Sequence, residues 1–366
     1  FSPFGQFVLG CLIQIGGLGV ASIGVGIMLA MGKKINLKER RVIRDAMNLD
    51  SGKGLIRFVK AIFYTTLLIE LLGAFLSFPV FFRDYPLPRA IGLSLFHSVA
   101  SFNNSGFDVL GNGTSLIPYQ KDVLLNLVTC ALVIAGGIGF PVIFELPQKH
   151  FSWERLSMHT RVVLSTTFTL LLFGTLLLKL TENISWLGAF FYSVSARTAG
   201  FSTYNLGDFS TAGLLVVSGL MFIGASPAST GGGIKISRII IMCKTAKQDL
   251  MRVLHPHAVT TVRFEGKPLD DKTVFGVRTY MNLYLIIFVL STMVVAINQF
   301  DLVTTFTAVA SCLNNIGPGL NQVGPMMNFG AYSNFAKLVL IFDMLAGRLE
   351  IFPMMVLFLP DAWRRF

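Results

Sequence analysis

Charge is what this sequence has least of. Only 13% of its residues are Asp, Glu, Lys or Arg, where a soluble domain carries about a quarter. That deficit excludes an ordinary globular enzyme. Cysteine is scarce too: Cys11, Cys130, Cys243 and Cys312 stand singly in apolar or near-apolar surroundings. With no paired spacing they exclude a disulfide framework or a thiolate metal site, and they are expected to be small buried hydrophobes. Catalytic signatures are missing as well. His97 and His150 lie far apart, and no Ser-His-Asp set, H-E-x-x-H or Walker pattern occurs. The reading is no enzyme, with no cofactor held by this chain. There is also no initiator Met, and the chain starts mid-pattern at Phe1, so an N-terminal part is expected upstream.

Long apolar runs take the place of charge, and 53% of the residues are hydrophobic. Residues 7–31 contain no charge, and residues 61–82 contain one acid, Glu70. Further runs cover 123–144, 162–178, 214–233, 274–298 and 338–359. A helix needs roughly 20 apolar residues to cross a bilayer. Seven spans are therefore expected, and the fold class is an all-α polytopic membrane protein embedded in a lipid bilayer.

The net charge of +11 is unevenly placed. Of the 30 Lys and Arg, nine lie in 32–60, three in 147–161, nine in 235–278, and two are Arg364 and Arg365. These are alternate inter-span segments plus the C-terminus. The intervening segments hold Arg83, Arg89, Lys121 and little else. By the positive-inside rule the basic segments and the C-terminus face the cytoplasm. Anionic headgroups account for such a face without nucleic acid.

A weak internal repeat organises the chain. Residues 95–106, 189–200 and 306–317 are short segments of small and aromatic residues that end in polar residues and then Gly106, Gly200 and Gly317. Each follows one apolar span and precedes another. Four divisions follow: 1–52, the second helix of a first repeat plus a basic segment; 53–159, a second repeat; 160–273, a third; and 274–366, a fourth. The rest of the first repeat is expected upstream of Phe1.

Non-helical backbone at membrane depth must line a cavity or be buried in protein, because lipid leaves its polar groups unsatisfied. A short helix running into a Gly loop meets that condition if the loop carbonyls face a pore, where they replace a cation's hydration shell. The negative end of the helix dipole favours a cation at the same point. Asn103, Asn104, Thr198, Asn314 and Asn315 are uncharged, as backbone coordination requires. Residues 224–233, Gly-Ala-Ser-Pro-Ala-Ser-Thr-Gly-Gly-Gly, interrupt another span. Their Gly and Pro content is incompatible with continuous helix. The triple Gly lacks phosphate-loop spacing.

These residues resemble the Trk/Ktr/HKT superfamily of potassium transporters. The motifs that carry the likeness are Phe102-Asn103-Asn104-Ser105-Gly106-Phe107, Arg197-Thr198-Ala199-Gly200-Phe201, Leu313-Asn314-Asn315-Ile316-Gly317-Pro318-Gly319-Leu320 and Gly347-Arg348-Leu349-Glu350. The last two look most like the TrkH branch, and the first third also looks like KtrB. The opening Phe4-Gly5-Gln6 through Gln14-Ile15-Gly16-Gly17-Leu18-Gly19 resembles the second helix of the family's first repeat.

The resemblance implies pseudo-fourfold helix–pore loop–helix repeats around one pore, in a homodimer with one pore per subunit. It implies a filter made of Asn103, Asn104, Ser105, Gly106, Arg197, Thr198, Ala199, Gly200, Asn314, Asn315, Ile316 and Gly317. Bound K+ would meet the backbone carbonyls of Asn104, Ser105, Thr198, Ala199, Asn315 and Ile316. A gate is implied at Gly224, Ala225, Ser226, Pro227, Ser229, Thr230, Gly231, Gly232, Gly233 and Lys235, with Arg348 beside the pore below the filter. A cytosolic RCK-domain subunit of the TrkA/KtrA type, sensing ATP/ADP or NAD(H), is implied as partner. The basic segments 33–60 and 235–273 are its expected docking surface.

Three expectations concern single charges. An Arg inside a span is costly by about 2.5–3.5 kcal/mol, so Arg348 is expected to face water, the 224–233 loop, or an acid such as Asp343 or Glu350. Arg197 is expected to pack behind its loop with an acid. Glu70 has no partner evident in the sequence and is read as structural, and His97 as packed on the pore half-helix. A Na+- or H+-coupled secondary transporter, a Na+-permeable homologue and a non-conducting structural subunit are the competing readings.

Overall fold

The computed structural model describes residues 2–19, 22–24, 55–111, 113–255, 261–264, 267–349, 351–356 and 358. Apart from a two-residue antiparallel ladder, Arg263–Phe264 against Lys267–Pro268, its regular elements are helices. One pattern occurs three times: a long helix, a short helix, a loop, and a second helix. In the first, α2 (Leu55–Asp84) leads to α3 (Leu87–Phe102) and α4 (Val123–Ile138). In the second, α6 (Met158–Thr181) leads to α7 (Trp186–Thr198) and α8 (Thr211–Met221). In the third, α10 (Asp271–Ala296) leads to α11 (Leu302–Asn314) and α12 (Asn334–Leu349). Helix α1 (Pro3–Leu18) packs on α3, while α5 (Phe140–Gln148), α9 (Ile236–Leu254) and α13 (Ile351–Val356) extend the second helices.

Length separates the helices into two kinds. The long ones have 30, 24 and 26 residues, and at about 1.5 Å per residue each exceeds the roughly 30 Å hydrocarbon core. The share of each span buried within the protein is 39%, 22% and 33%, so most of every span is apolar surface facing outward. Leu68, Leu71 and Phe75, Phe168, Leu172 and Phe173, and Leu285, Val289 and Met293 form such exposed stripes, as lipid-facing helices require. The short helices are the opposite. From Ala308 to Asn314 every residue of α11 is buried, and from Tyr192 to Thr198 every residue of α7. They are about 20 Å long, too short to span, and they form the centre.

Sequence-local signals start these helices. Asp122, Ser157, Ser185, Ser210 and Asp301 each accept a hydrogen bond from a backbone N–H in the first turn of the following helix, which satisfies donors that have no intrahelical partner. Asp301 is the most elaborate cap. Its carboxylate accepts from Thr304 N at 3.1 Å, Thr304 Oγ1 at 2.5 Å and Asn321 Nδ2 at 3.0 Å. The Thr304 hydroxyl bond is the main reason its pKa lies below the usual carboxylate value. A depressed folded value means that the cap stabilises fully above ordinary Asp titration and is lost as pH falls through the lower folded value. Asp301→Ala is therefore expected to cost about 1 kcal/mol near neutral pH, with the difference from wild type vanishing in strong acid. Thermal melts across pH check this.

The expectations about spans and cysteines need correction: among the described residues three helices, or four with one bent pair, are long and apolar enough to cross a membrane, where seven spans were expected. Residues 123–144 do not form one straight span: the chain turns by 96° between α4 and α5. Gly139 at the break has φ +91, and a Cβ there would meet Pro227 O at 2.8 Å and Ser226 Oγ at 2.9 Å. The break is where a distant loop docks. Cys11 and Cys243 are exposed, and only Cys130 and Cys312 are buried. A thiol on an outward helix face needs no burial in protein when that face is apolar. The basic residues 33–54, Glu350, Arg364 and Arg365 lie outside the described residues.

Candidate ion pathway

The three short helices end at one place, and their loops touch in sequence order. A Cβ on Gly106 would overlap Ala199 O and lie 3.2 Å from Gly200 Cα. A Cβ on Gly200 would overlap Ile316 O and lie 2.7 Å from Pro318 Cδ. Both glycines also have positive φ, +69 and +77, a backbone region that other residues enter at a cost. Gly317 has φ +108 with open space where its Cβ would lie. The first turn thus abuts the second and the second the third, and the carbonyl-bearing segments gather at the helices' negative ends.

The side chains three residues before each Gly point back into the protein. Asn103 Nδ2 donates to Glu70 Oε1 at 2.9 Å and to Gln14 Oε1 at 3.0 Å. Gln14 Nε2 donates to the other Glu70 oxygen at 3.1 Å. Asn314 Nδ2 donates to Tyr284 Oη at 2.8 Å. Arg197 Nη2 donates to Gly224 O at 3.2 Å. The next residue along ties its turn to a neighbouring turn or helix. In the amide orientation that satisfies its donors and acceptor, Asn104 accepts from Thr198 Oγ1 at 2.9 Å and donates to Ser101 O and Val133 O. Asn315 Nδ2 donates to Met344 O at 2.9 Å. Asn104 and Asn315 have φ +52 and +54, the left-handed helix-end conformation that Asn tolerates. Side chains brace the turns from behind.

Two expectations change here. Glu70 is not partnerless: it is the buried carboxylate that Gln14 and Asn103 share. Arg197 has no acid among the described residues, and a backbone carbonyl takes that place. His97 packs as expected on its half-helix, with Nε2 2.8 Å from Thr129 Oγ1 and its ring edge-on to Phe81 and Phe201.

Residues 222–235 separate α8 from α9 and pass directly under all three helix ends. Thr230 Oγ1 donates to Phe102 O at 2.9 Å. A Cβ on Gly231 would lie 3.1 Å from Thr198 Oγ1, one on Gly232 2.7 Å from Asn315 Cβ, and one on Gly233 3.1 Å from Asn314 Oδ1. The run of three glycines lets one strand of backbone lie against two of the braced turns. The loop is also stitched to the α4–α5 break. Ser226 N donates to Gly137 O at 3.1 Å, Thr230 N to Gly136 O at 3.2 Å and Phe140 N to Ala228 O at 3.0 Å, while the Ser226 hydroxyl donates to Ile138 O. Ser229 Oγ donates back to Ser226 O at 2.6 Å. Within the loop, Gly224 N donates to Ile234 O at 2.9 Å and Ala225 N to Gly232 O at 3.2 Å. Pro227 supplies a carbonyl against Gly139.

Three cations hold this loop by its carbonyls. Lys235 Nζ donates to Gly231 O at 2.8 Å, and Arg197 reaches Gly224 O as above. Arg348 does most. Its Nη1 donates to Ser229 O at 3.3 Å and Gly231 O at 3.0 Å. Its Nη2 donates to Gly16 O and Gly17 O, both at 2.9 Å, and Nε to Gly16 O at 3.3 Å. Of the acids expected for Arg348, Asp343 instead accepts from Ser291 Oγ at 2.7 Å, and Glu350 is not described. One guanidinium therefore ties the end of α1 to the deep loop, using the fork geometry that suits several acceptors at once.

The family model described as "TrkH: Cation transport protein" matches residues 1–364. The chain belongs to the TrkH family. Among curated relatives of this TrkH-family chain, "Ktr system potassium uptake protein B" of Bacillus subtilis is 36% identical over 66% of this chain and 56% of its own length. "Trk system potassium uptake protein TrkH" of Escherichia coli is 29% identical over 95% of this chain and 71% of its own. The chain thus spans a little over half the length of the first of these and under three quarters of the second. A solved structure, "Crystal Structure of the Potassium Transporter TrkH from Vibrio parahaemolyticus", matches with a TM-score of 0.78 at 26% identity, over 98% of this chain and 73% of that one. The likeness to both branches agrees with the motifs, and the structural match agrees with an all-α polytopic membrane protein.

Proposed function

We propose that this TrkH-family chain is the ion-conducting subunit of a potassium (monovalent cation) uptake system of the cytoplasmic membrane. The observation that carries the reading is the contact of the three glycine turns: the turn at Gly106 abuts that at Gly200, and the turn at Gly200 abuts that at Gly317, each through backbone that leaves no room for a side chain on Gly106 or Gly200. In this reading the carbonyls of Asn104, Ser105, Thr198, Ala199, Asn315 and Ile316 coordinate K+. The 224–233 loop is the gate, closed where it lies under the helix ends and latched by Arg348. The relatives' names, potassium uptake proteins of Trk and Ktr systems, support the choice of ion. Homodimeric assembly, a cytoplasmic C-terminus and a nucleotide-sensing RCK-domain partner on the basic face belong to the same proposal.

The test is cation flux in proteoliposomes. Wild type is expected to pass K+ and Rb+ well ahead of Na+, and Gly106→Ser to lose that discrimination. Selectivity unmoved in Gly106→Ser would contradict the reading.

One observation favours proton-coupled transport as a second reading: Glu70, a buried acid, bonds directly to Asn103 at the head of the first glycine turn. If conduction is channel-like, Glu70→Gln keeps K+ flux that reverses at the K+ equilibrium potential and ignores a pH gradient. If Glu70 carries a coupled proton, wild-type uptake follows the pH gradient and Glu70→Gln abolishes that dependence.

A further inference from the structure

Arg197 holds a buried positive charge that the contacts described so far leave unbalanced. The residue is 8% exposed and among the described residues makes one hydrogen bond, to Gly224 O. Its Nε is buried with no acceptor among the described residues. A guanidinium has five N–H donors, so most of them are uncommitted among the described residues. Lys235 and Arg348 point further positive charge at the same deep loop. A charge removed from water is tolerated in a protein interior when it is paired and its donors are satisfied. The carbonyl of Gly224 supplies a dipole but no counter-charge.

Beside the guanidinium lies a cavity of about 20 Å³, bounded by Val133, Ile134, Leu171 and Val194, with Thr167 and Arg197 as its main polar groups. Thr198 also borders it, but its hydroxyl is committed to Asn104. Thr167 is 7% exposed, and its hydroxyl has no partner among the described residues. A space above roughly 10–15 Å³ holds a particle the size of a water molecule. Arg197 and Thr167 are part of its lining, no carboxylate is among the described residues of its wall, and most of the rest is apolar. Such a lining repels a cation and leaves a neutral water without charge compensation.

We propose that the cavity is an internal binding site for one small monovalent anion of the halide class, held by the Arg197 guanidinium and the Thr167 hydroxyl. The anion balances the charge fixed behind the turn at Thr198–Gly200, so that Arg197 can brace the deep loop without opposing a cation nearby. The site stands on the cavity and its donors, whether or not the glycine turns conduct.

Bromide reports on it directly. Crystals of the wild-type protein in bromide are expected to show an anomalous peak in the cavity, within contact of Arg197. At constant ionic strength the melting temperature is expected to be about 2–4 °C higher in chloride or bromide than in gluconate, which is too large for the space. Thr167→Val is expected to reduce that difference by at least half, and Arg197→Met to remove it. The absence of a bromide peak from the cavity, a water molecule there in its place, or equal melting in chloride and gluconate would each overturn the proposal. If Arg197→Met does not fold, the wild-type bromide map and Thr167→Val decide.

Discussion

Gly200→Ala is expected to cut K+ flux about a hundredfold while leaving the protein folded. The added methyl enters the space of Ile316 O, and the backbone at φ +77 penalises any L side chain. A left-handed conformation costs on the order of 1–2 kcal/mol for such a residue. The overlap adds to this, because the obstacle is backbone of the adjoining turn and not the end of a flexible side chain. Relief requires the Ile316 carbonyl to move, which displaces a proposed ion ligand. A barrier raised by about 3 kcal/mol corresponds to the hundredfold loss. Two other glycines separate strain from collision. Gly317→Ala meets no atom within 4 Å but keeps φ +108, so strain alone is expected to reduce flux about tenfold. Gly276→Ala, on an open face of α10, is expected to be silent. Equal flux in all three variants, measured in proteoliposomes, would break the link between these turns and conduction.

Arg348→Ala is expected to act in the opposite direction and raise basal flux at least about tenfold. The guanidinium contributes two hydrogen bonds to the deep loop and three to the end of α1. Hydrogen bonds to charged groups contribute about 1.5–3 kcal/mol each, and only those to the loop favour its closed position over another. Losing even part of them shifts the loop's population by more than tenfold. Arg348→Lys is expected to fall between the two, since one ammonium cannot reach four carbonyls in the geometry of a fork. Unchanged basal flux in Arg348→Ala would remove Arg348 from the gate.

What could be read from the sequence was local. Apolar runs are contiguous, and a turn of small and polar residues closing on Gly stands out between two of them, so the long helices α2, α6 and α10, the three turns and the broken stretch at 224–233 were visible. What could not be read was the identity of partners that are backbone atoms. Arg348 binds carbonyls of residues far away along the chain, Gly16 and Gly17, and of Ser229 and Gly231. Carbonyls occur at every position and leave no mark in a sequence, so the 224–233 loop, which Arg348 does bind, could be named only beside Asp343 and Glu350, and Gly16 and Gly17 not at all. Arg197 misled for the same reason. The bend at Gly139 is likewise set by a segment some ninety residues on, roughly the spacing of one repeat, that lies in its elbow. The Glu70 cluster draws one member each from α1, α2 and the first glycine turn. Only folding brings those three together.

The most direct measurement is the position of the ions themselves. Crystals of the protein in thallium or rubidium salts are expected to show anomalous density between the three glycine turns, facing the carbonyls of Asn104, Ser105, Thr198, Ala199, Asn315 and Ile316, and above the 224–233 loop. Density that is absent there in protein shown to conduct, or that lies instead along another route through the helices, would contradict the account.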